Sequence, residues 1–181
     1  MTRTVNGTGQ LSLMRRFGAP EESKLIVQGN LASTYEILGR TEEASRMHRD
    51  VYTGHVNLLG EEHGHTLMQA SNYARFLKKH EEYDKAKSLH RRTIPMARRA
   101  LGDSNDITLR MRWLYANCLC DYKNATLDDL VEAVETLEAV AKLWKRVMGE
   151  RHPETPAVLE ALKVAREKLR LRRAAREVAS D

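Results

Sequence analysis

Cysteine is nearly absent from this 181-residue chain: there are two, Cys118 and Cys120. On a helix, residues two apart point about 200° from each other, which suits neither a disulfide nor a shared metal. A disulfide-built secreted scaffold is therefore not expected. The opening MTRTVNGTGQLSLMRRFGAP holds no apolar core long enough for a secretory signal. No run of ~18 apolar residues occurs, so no transmembrane helix is expected, and the expected location is cytoplasmic. Proline (four) and phenylalanine (two) are also scarce. No window alternates apolar and polar residues with period two, which argues against strands.

What is abundant is Leu, Ala, Glu, Lys and Arg, whose unbranched side chains lose little rotamer freedom on a helix. An internal repeat organises them. Phe17-Gly18, Leu59-Gly60, Leu101-Gly102 and Met148-Gly149 each close a helical pattern, and a polar loop and new apolar run follow. Thr66, Thr108 and Thr155 fall in register. So do the alanines 32, 74 and 116 on one helix of each pair and 44, 86 and 133 on the other. The period is 42 residues, except that the third unit is five longer, which places an insertion near 124–129. A small residue at each pair of facing positions implies close helix packing, and glycine at each helix end fits a left-handed C-terminal cap, which only glycine adopts without steric penalty. Helices are predicted at about 23–38, 41–58, 65–79, 82–100, 106–122, 126–147 and 154–177, with a short one at about 10–17. Thr41 and Thr126, each followed by acids, are the predicted N-caps. Pro95 falls inside a helix that it is expected to bend or shorten.

NLASTYEILGRTEEA (residues 30–44) and the linker MGERHPET (148–155), with weaker copies LGEEHGHT (59–66) and LGDSNDIT (101–108), resemble tetratricopeptide repeats of the kinesin light chain type. The resemblance spans roughly residues 18–165. It implies an all-α, right-handed superhelical solenoid of antiparallel helix pairs. The register then divides the chain into 1–17 (flexible N-terminus and tail helix of an incomplete unit), repeats at 18–59, 60–101 and 102–148, and a capping helix at 149–181 with a basic end. Lys163 at a small-residue position and Pro156 in place of leucine mark the last unit as a cap.

In such stacks the first helix of each pair lines a concave groove. The predicted buried stripe is Leu31, Tyr35 and Leu38, then Tyr73 and Leu77, then Tyr115 and Leu119. One helix face away lie the candidate partner-binding residues Asn30, Ser33, Asn72, Arg75, Lys79, Arg110, Trp113 and Asn117, with Lys78 beside them. The resemblance places Asn30 and Asn72 where the family carries a groove asparagine; a solvated or inter-helix role is the alternative. An amide donates and accepts at once, as an extended peptide backbone requires. Arg75, Lys78, Lys79 and Arg110 are expected to make the groove basic. Trp113 fits either an apolar anchor or the core.

The net charge is +5, and residues 163–181 carry seven Lys/Arg against three acids. His63 and His65 beside Glu61 and Glu62 resemble a metal set, but the repeat accounts for His63 as the linker position shared with His152. No Ser/His/Asp order, phosphate-cradling glycine loop or carboxylate pair emerges. The expectation is a protein-binding module without enzymatic activity, cofactor, metal or small-molecule substrate. Its partner would be a protein or peptide segment, acidic in character, held in the groove. The alternatives are a structural subunit packed through its faces and ends, or contact of the basic last helix with nucleic acid or an anionic membrane.

Overall fold

The computed structural model describes the backbone of residues 2–178 and the side chains of residues 7–178. Met1 and residues 179–181, the extreme ends of the first and last expected segments, lie outside it. The described residues form eight helices and no strand: α1 (Thr2–Arg16), α2 (Glu21–Ile37), α3 (Thr41–Leu59), α4 (Gly64–Lys79), α5 (Tyr83–Leu101), α6 (Asp106–Asp121), α7 (Leu127–Met148) and α8 (Thr155–Val178). Each packs on the next, and α4 and α6 also touch, as do α6 and α8. Among the described residues no two of the alternate helices α3, α5 and α7 approach each other in this way. The stack therefore curves towards the side of α4, α6 and α8, with α2 leading into that concave side.

The repeat is visible in the packing. Ala32, Ala74, Ala116, Ala44, Ala86 and Ala133 are all fully buried. Any larger side chain at these positions would push the paired helices apart. Gly60, Gly102 and Gly149 close α3, α5 and α7 with φ of 87°, 91° and 87° and ψ near 160°. That is an extended mirror-image conformation reserved for glycine, rather than the ordinary left-handed cap. The linker threonines explain the register. Thr66 Oγ donates to the His55 carbonyl at 3.2 Å, and Thr108 Oγ donates to the Ala97 carbonyl at 3.3 Å, in each case reaching back to the preceding helix. Thr155 donates instead to the Gly149 carbonyl at 2.9 Å.

The third pair absorbs its five extra residues without losing its place in the stack. Its turn, 122–126, has five residues where 38–40 and 80–82 have three, and α7 has 22 residues where α3 and α5 have 19. Thr126 forms the predicted cap: its hydroxyl accepts from the Asp129 amide at 3.0 Å, while the Asp129 carboxylate accepts from the Thr126 amide at 2.9 Å. The largest core cluster lies here, between α6, α7 and α8, around Trp144.

Several expectations are corrected. Thr41 is the first helical residue and not the cap; Arg40 holds that position without a side-chain capping bond and pairs with Glu43. Of the two effects expected of Pro95, shortening does not occur: α5 runs unbroken through it, with Pro95 on the exposed face. Leu38 closes α2 on the surface, and Tyr73 is half-buried, whereas Phe76, one turn on, is fully buried. The described part of the leading segment is helical over Thr2–Arg16, longer than predicted, despite two glycines; packing on α2 and the buried Leu11 hold it.

Candidate functional site

The concave side is formed by one face of α2, α4 and α6. Position by position along the repeat, Ile26, Met68 and Arg110 stand at its first turn, Asn30 and Asn72 at the next, then Ser33, Arg75 and Asn117, and finally Ile37, Lys79 and Asp121. Ile26, Ile37 and Met68 are 52, 83 and 40% exposed, although apolar. Apolar side chains left open along one face of a helix stack mark a surface suited to contact.

The polar candidates differ in how free they are. Asn30 is exposed, while Asn72 is half-buried and its amide donates to Gln69 Oε1 of its own helix at 3.4 Å. Ser33 turns its hydroxyl back to the Gly29 carbonyl at 3.3 Å. Asn117 is half-buried. Trp113 is half-buried too, edge-on to the fully buried Trp144 with ring centres 5.9 Å apart, so most of its surface belongs to the core. The structure thus leaves Asn30 and Arg75 exposed on this face, keeps Asn72 half-buried and draws Trp113 towards the core.

The cations are mostly matched from within the stack. Lys79 pairs with Glu36 of α2 at 2.7 Å, and Lys78 pairs with Asp121 of α6 at 2.8 Å. Arg110 pairs with Asp106 at 2.8 Å and with Glu154, ahead of α8, at 2.5 Å. Burial would raise the Glu36 carboxyl, but the Lys79 bond and the nearby charges of Lys79, Arg75 and His48 outweigh it and hold the group below its usual range. Asp121 follows the same pattern: burial pushes it up, and Lys78 and Lys168 bring it down further. Arg110, which burial would lower, is raised by its two acids. Arg75 is the exception: it is exposed and has no carboxylate within ion-pair distance among the described residues. Arg110 is also distant from the lysines in register. Its repeat equivalent on α4 is Met68, eleven residues before Lys79, or about 16 Å along the axis at 1.5 Å per residue. Neither Glu36 nor Glu154 was singled out from the sequence; the 42-residue offset, which sets Glu36 one position before the equivalent of Lys79, was the available signal.

The histidines serve structure. His63 Nδ1 accepts from the His65 amide at 3.2 Å, and His152 Nδ1 accepts from the Glu154 amide at 3.2 Å. Asn105, at the equivalent position, accepts from the Ile107 amide at 2.9 Å. At α4 and α6 the linker position is thus an N-cap, filled by either residue, while His152 makes the same bond one turn ahead of α8. His48 and His90 are buried on α3 and α5, and burial pushes His90 down to about 4. Burial is also the largest influence on His48, which it lowers against the pull of Glu36. Both cysteines are buried and pushed up to about 11, chiefly by burial. Among the described residues no helix is long and apolar enough to cross a membrane.

Comparison with known proteins agrees with this geometry. Residues 26–65 and 66–106 each match the family model of the tetratricopeptide repeat. No curated protein matches the chain. Among solved structures, the chain is similar to nearly identical tetratricopeptide-like repeats of a Podosopora anserina protein described as a kinesin light chain. That match has a TM-score of 0.74 and 21% identity, covering 98% of this chain and 82% of that one. A single-substitution variant of the same repeats gives a TM-score of 0.76 with the same identity and coverage, 21%, 98% and 82%. Such repeats form non-catalytic scaffolds that act as protein–protein interaction modules. Residues 26–65 and 66–106 are tetratricopeptide repeats, and the whole stack is folded as in repeats of the kinesin light chain type.

Proposed function

We propose that the chain binds an extended segment of a partner protein along the concave surface of α2, α4 and α6, within the cytoplasm. We take the units as 18–59, 60–101 and 102–148, closed by the cap at 149–181. The observation that carries this reading is the open line on the first two inner helices. Ile26 and Met68 offer apolar contact, Asn30 and Asn72 offer amides, and Arg75 stands beside them without a carboxylate of its own.

An acidic partner remains our reading, narrowed to Arg75. Lys78, Lys79 and Arg110 already hold Asp121, Glu36 and Glu154, so a ligand carboxylate would have to displace those partners. Exposed ion pairs contribute only about 0–1 kcal/mol, so anchoring rests on apolar burial and Arg75 adds selectivity and salt dependence.

The test is capture of partners from cytosol by the intact chain and by Asn72→Ala/Arg75→Glu. A partner held by the former and lost from the latter, at unchanged helicity, supports groove binding. Undiminished capture by the variant would sink it and leave the scaffold reading, in which the stack packs permanently through its faces and ends.

A further inference from the structure

A second recess lies away from the open line on α2 and α4. α8 has 24 residues where α4 and α6 have 16, and its last turns overhang the turn between α6 and α7. Beneath them is a cavity of about 380 Å³, near the low end of the ~300–1,000 Å³ usual for ligand sites. Its floor is apolar, with Ala125 and Leu130 buried there, and Leu171 of α8, 55% exposed, also lines it. The polar lining is unbalanced. Asp121 is its one lining acid near the cations, and that carboxylate is already held by Lys78 at 2.8 Å and Lys168 at 3.2 Å. Lys168 is further tied to the Cys120 carbonyl at 2.9 Å, at the end of α6.

Two cations are left on the rim. Arg172 has no acidic partner among the described residues. Lys123 lies 3.2 Å from Glu81, but these side chains are 79 and 67% exposed, and a pair so open to water holds weakly. Lys123 and Ala125 belong to the lengthened turn by which the third unit departs from its neighbours. The stack does not need this wall, since the first two units close with three-residue turns.

We propose that this cavity is a second docking site, taking a partner peptide segment in which carboxylates stand next to a leucine- or phenylalanine-sized side chain. The apolar side chain enters over Ala125 and Leu130, and the carboxylates meet Lys123 and Arg172. A concave recess with its apolar atoms on the floor fits a protruding side chain, whereas a bilayer surface demands apolar atoms that project.

An NMR titration of the 15N-labelled full chain tests it, with acetyl-Asp-Leu-Glu-Phe-amide as probe and acetyl-Asn-Leu-Gln-Phe-amide as neutral control. The expected result is saturable shifts of the amides at 122–125 and 168–175. Affinity should fall at least about tenfold for the neutral probe and for Lys123→Glu/Arg172→Glu. Arg75→Glu should bind the probe unchanged, which separates this site from the concave surface. Both rim side chains are exposed, so the double variant should keep its circular dichroism spectrum. Shifts that survive the double variant, or that map to α2 and α4 alone, overturn the proposal. So does an absent peptide response together with phosphatidylserine-vesicle binding that the double variant abolishes, which would make the recess a membrane contact.

Discussion

Replacing Thr108 by valine tests the device that holds one helix pair on the next. The side chain is fully buried, and its hydroxyl donates 3.3 Å to the Ala97 carbonyl in the last turns of α5. Valine keeps the volume and removes the donor. Because α5 continues to Leu101, the Ala97 carbonyl keeps its helical partner, so the change removes a second bond and orphans no acceptor. The cost should therefore sit near the net value of one buried hydrogen bond, about 1 kcal/mol. Alanine removes the methyl as well and should cost about 2 kcal/mol, the additional part being one buried carbon. Thr66→Val should match Thr108→Val, since the Thr66 hydroxyl makes the equivalent bond, 3.2 Å to His55. The two belong to different interfaces and should add. Urea unfolding followed by circular dichroism reads each value, and a broader transition in the double variant would report units melting apart. If Thr108→Val proves as stable as the parent, the hydroxyl is not what joins the units, and helix packing alone sets the register.

Other consequences follow from the same geometry. Glu81 is the one non-glycine residue with positive φ among the described residues (62°), at the turn where the first unit has Gly39 at 71°. Glu81→Gly should therefore raise stability by about 1 kcal/mol in urea melts, the exposed pair with Lys123 offsetting little of it; an unchanged or lower midpoint would refute this. His63→Ala should cost about 1 kcal/mol by uncapping α4, while His63→Asn should be nearly neutral, because Asn105 already does this work ahead of α6. Burial lowers His90 to about 4, so below pH 6.5 the unfolded chain takes a proton that the folded chain refuses. Stability should fall as pH drops through the window from 6.5 to about 4, by about 2 kcal/mol between pH 7 and 5, and His90→Leu should flatten that slope. A slope indifferent to this substitution would show the proton going elsewhere.

The fold was legible because a solenoid writes its packing rule once per unit. Six alanines at two facing positions mark where backbones must approach, and three glycines mark conformations other residues avoid. Each signal is local and repeated, so an error in one unit is exposed by the next. The five-residue insertion illustrates this: Ala133 and Gly149 move together, and the structure divides the extra length between turn and helix. Misreadings fell where a local rule met a tertiary exception. Thr41 has the composition of a cap, yet α3 begins one residue earlier because the turn through Gly39 and Arg40 is already fixed: the Arg40 amide bonds back to the Tyr35 carbonyl at 2.9 Å. Pro95 leaves α5 at full length, since the neighbouring helices hold that helix through the exposed proline.

The concave surface was less legible, for a reason that the charges make plain. A cation on one helix reads as free when its helix is considered alone. Lys78 and Lys79 are instead matched by carboxylates a full unit away, Asp121 and Glu36, and Arg110 takes Glu154 in addition to Asp106 of its own helix. Helical spacing rules reach only three or four residues and cannot see such partners. Charge pairing across units requires knowing which positions face each other, and that follows only once the 42-residue offset is applied to acids as well as to the core. Applied that way, the offset pairs Lys79 of α4 with Glu36 of α2 and leaves Arg75 without a counterpart. The apparent basic groove then resolves into a largely neutral wall with one uncommitted guanidinium. Selectivity for an acidic partner thus depends on Arg75 far more than on the lysines beside it, and Arg75→Glu should weaken binding more than Lys79→Glu, which mainly frees Glu36.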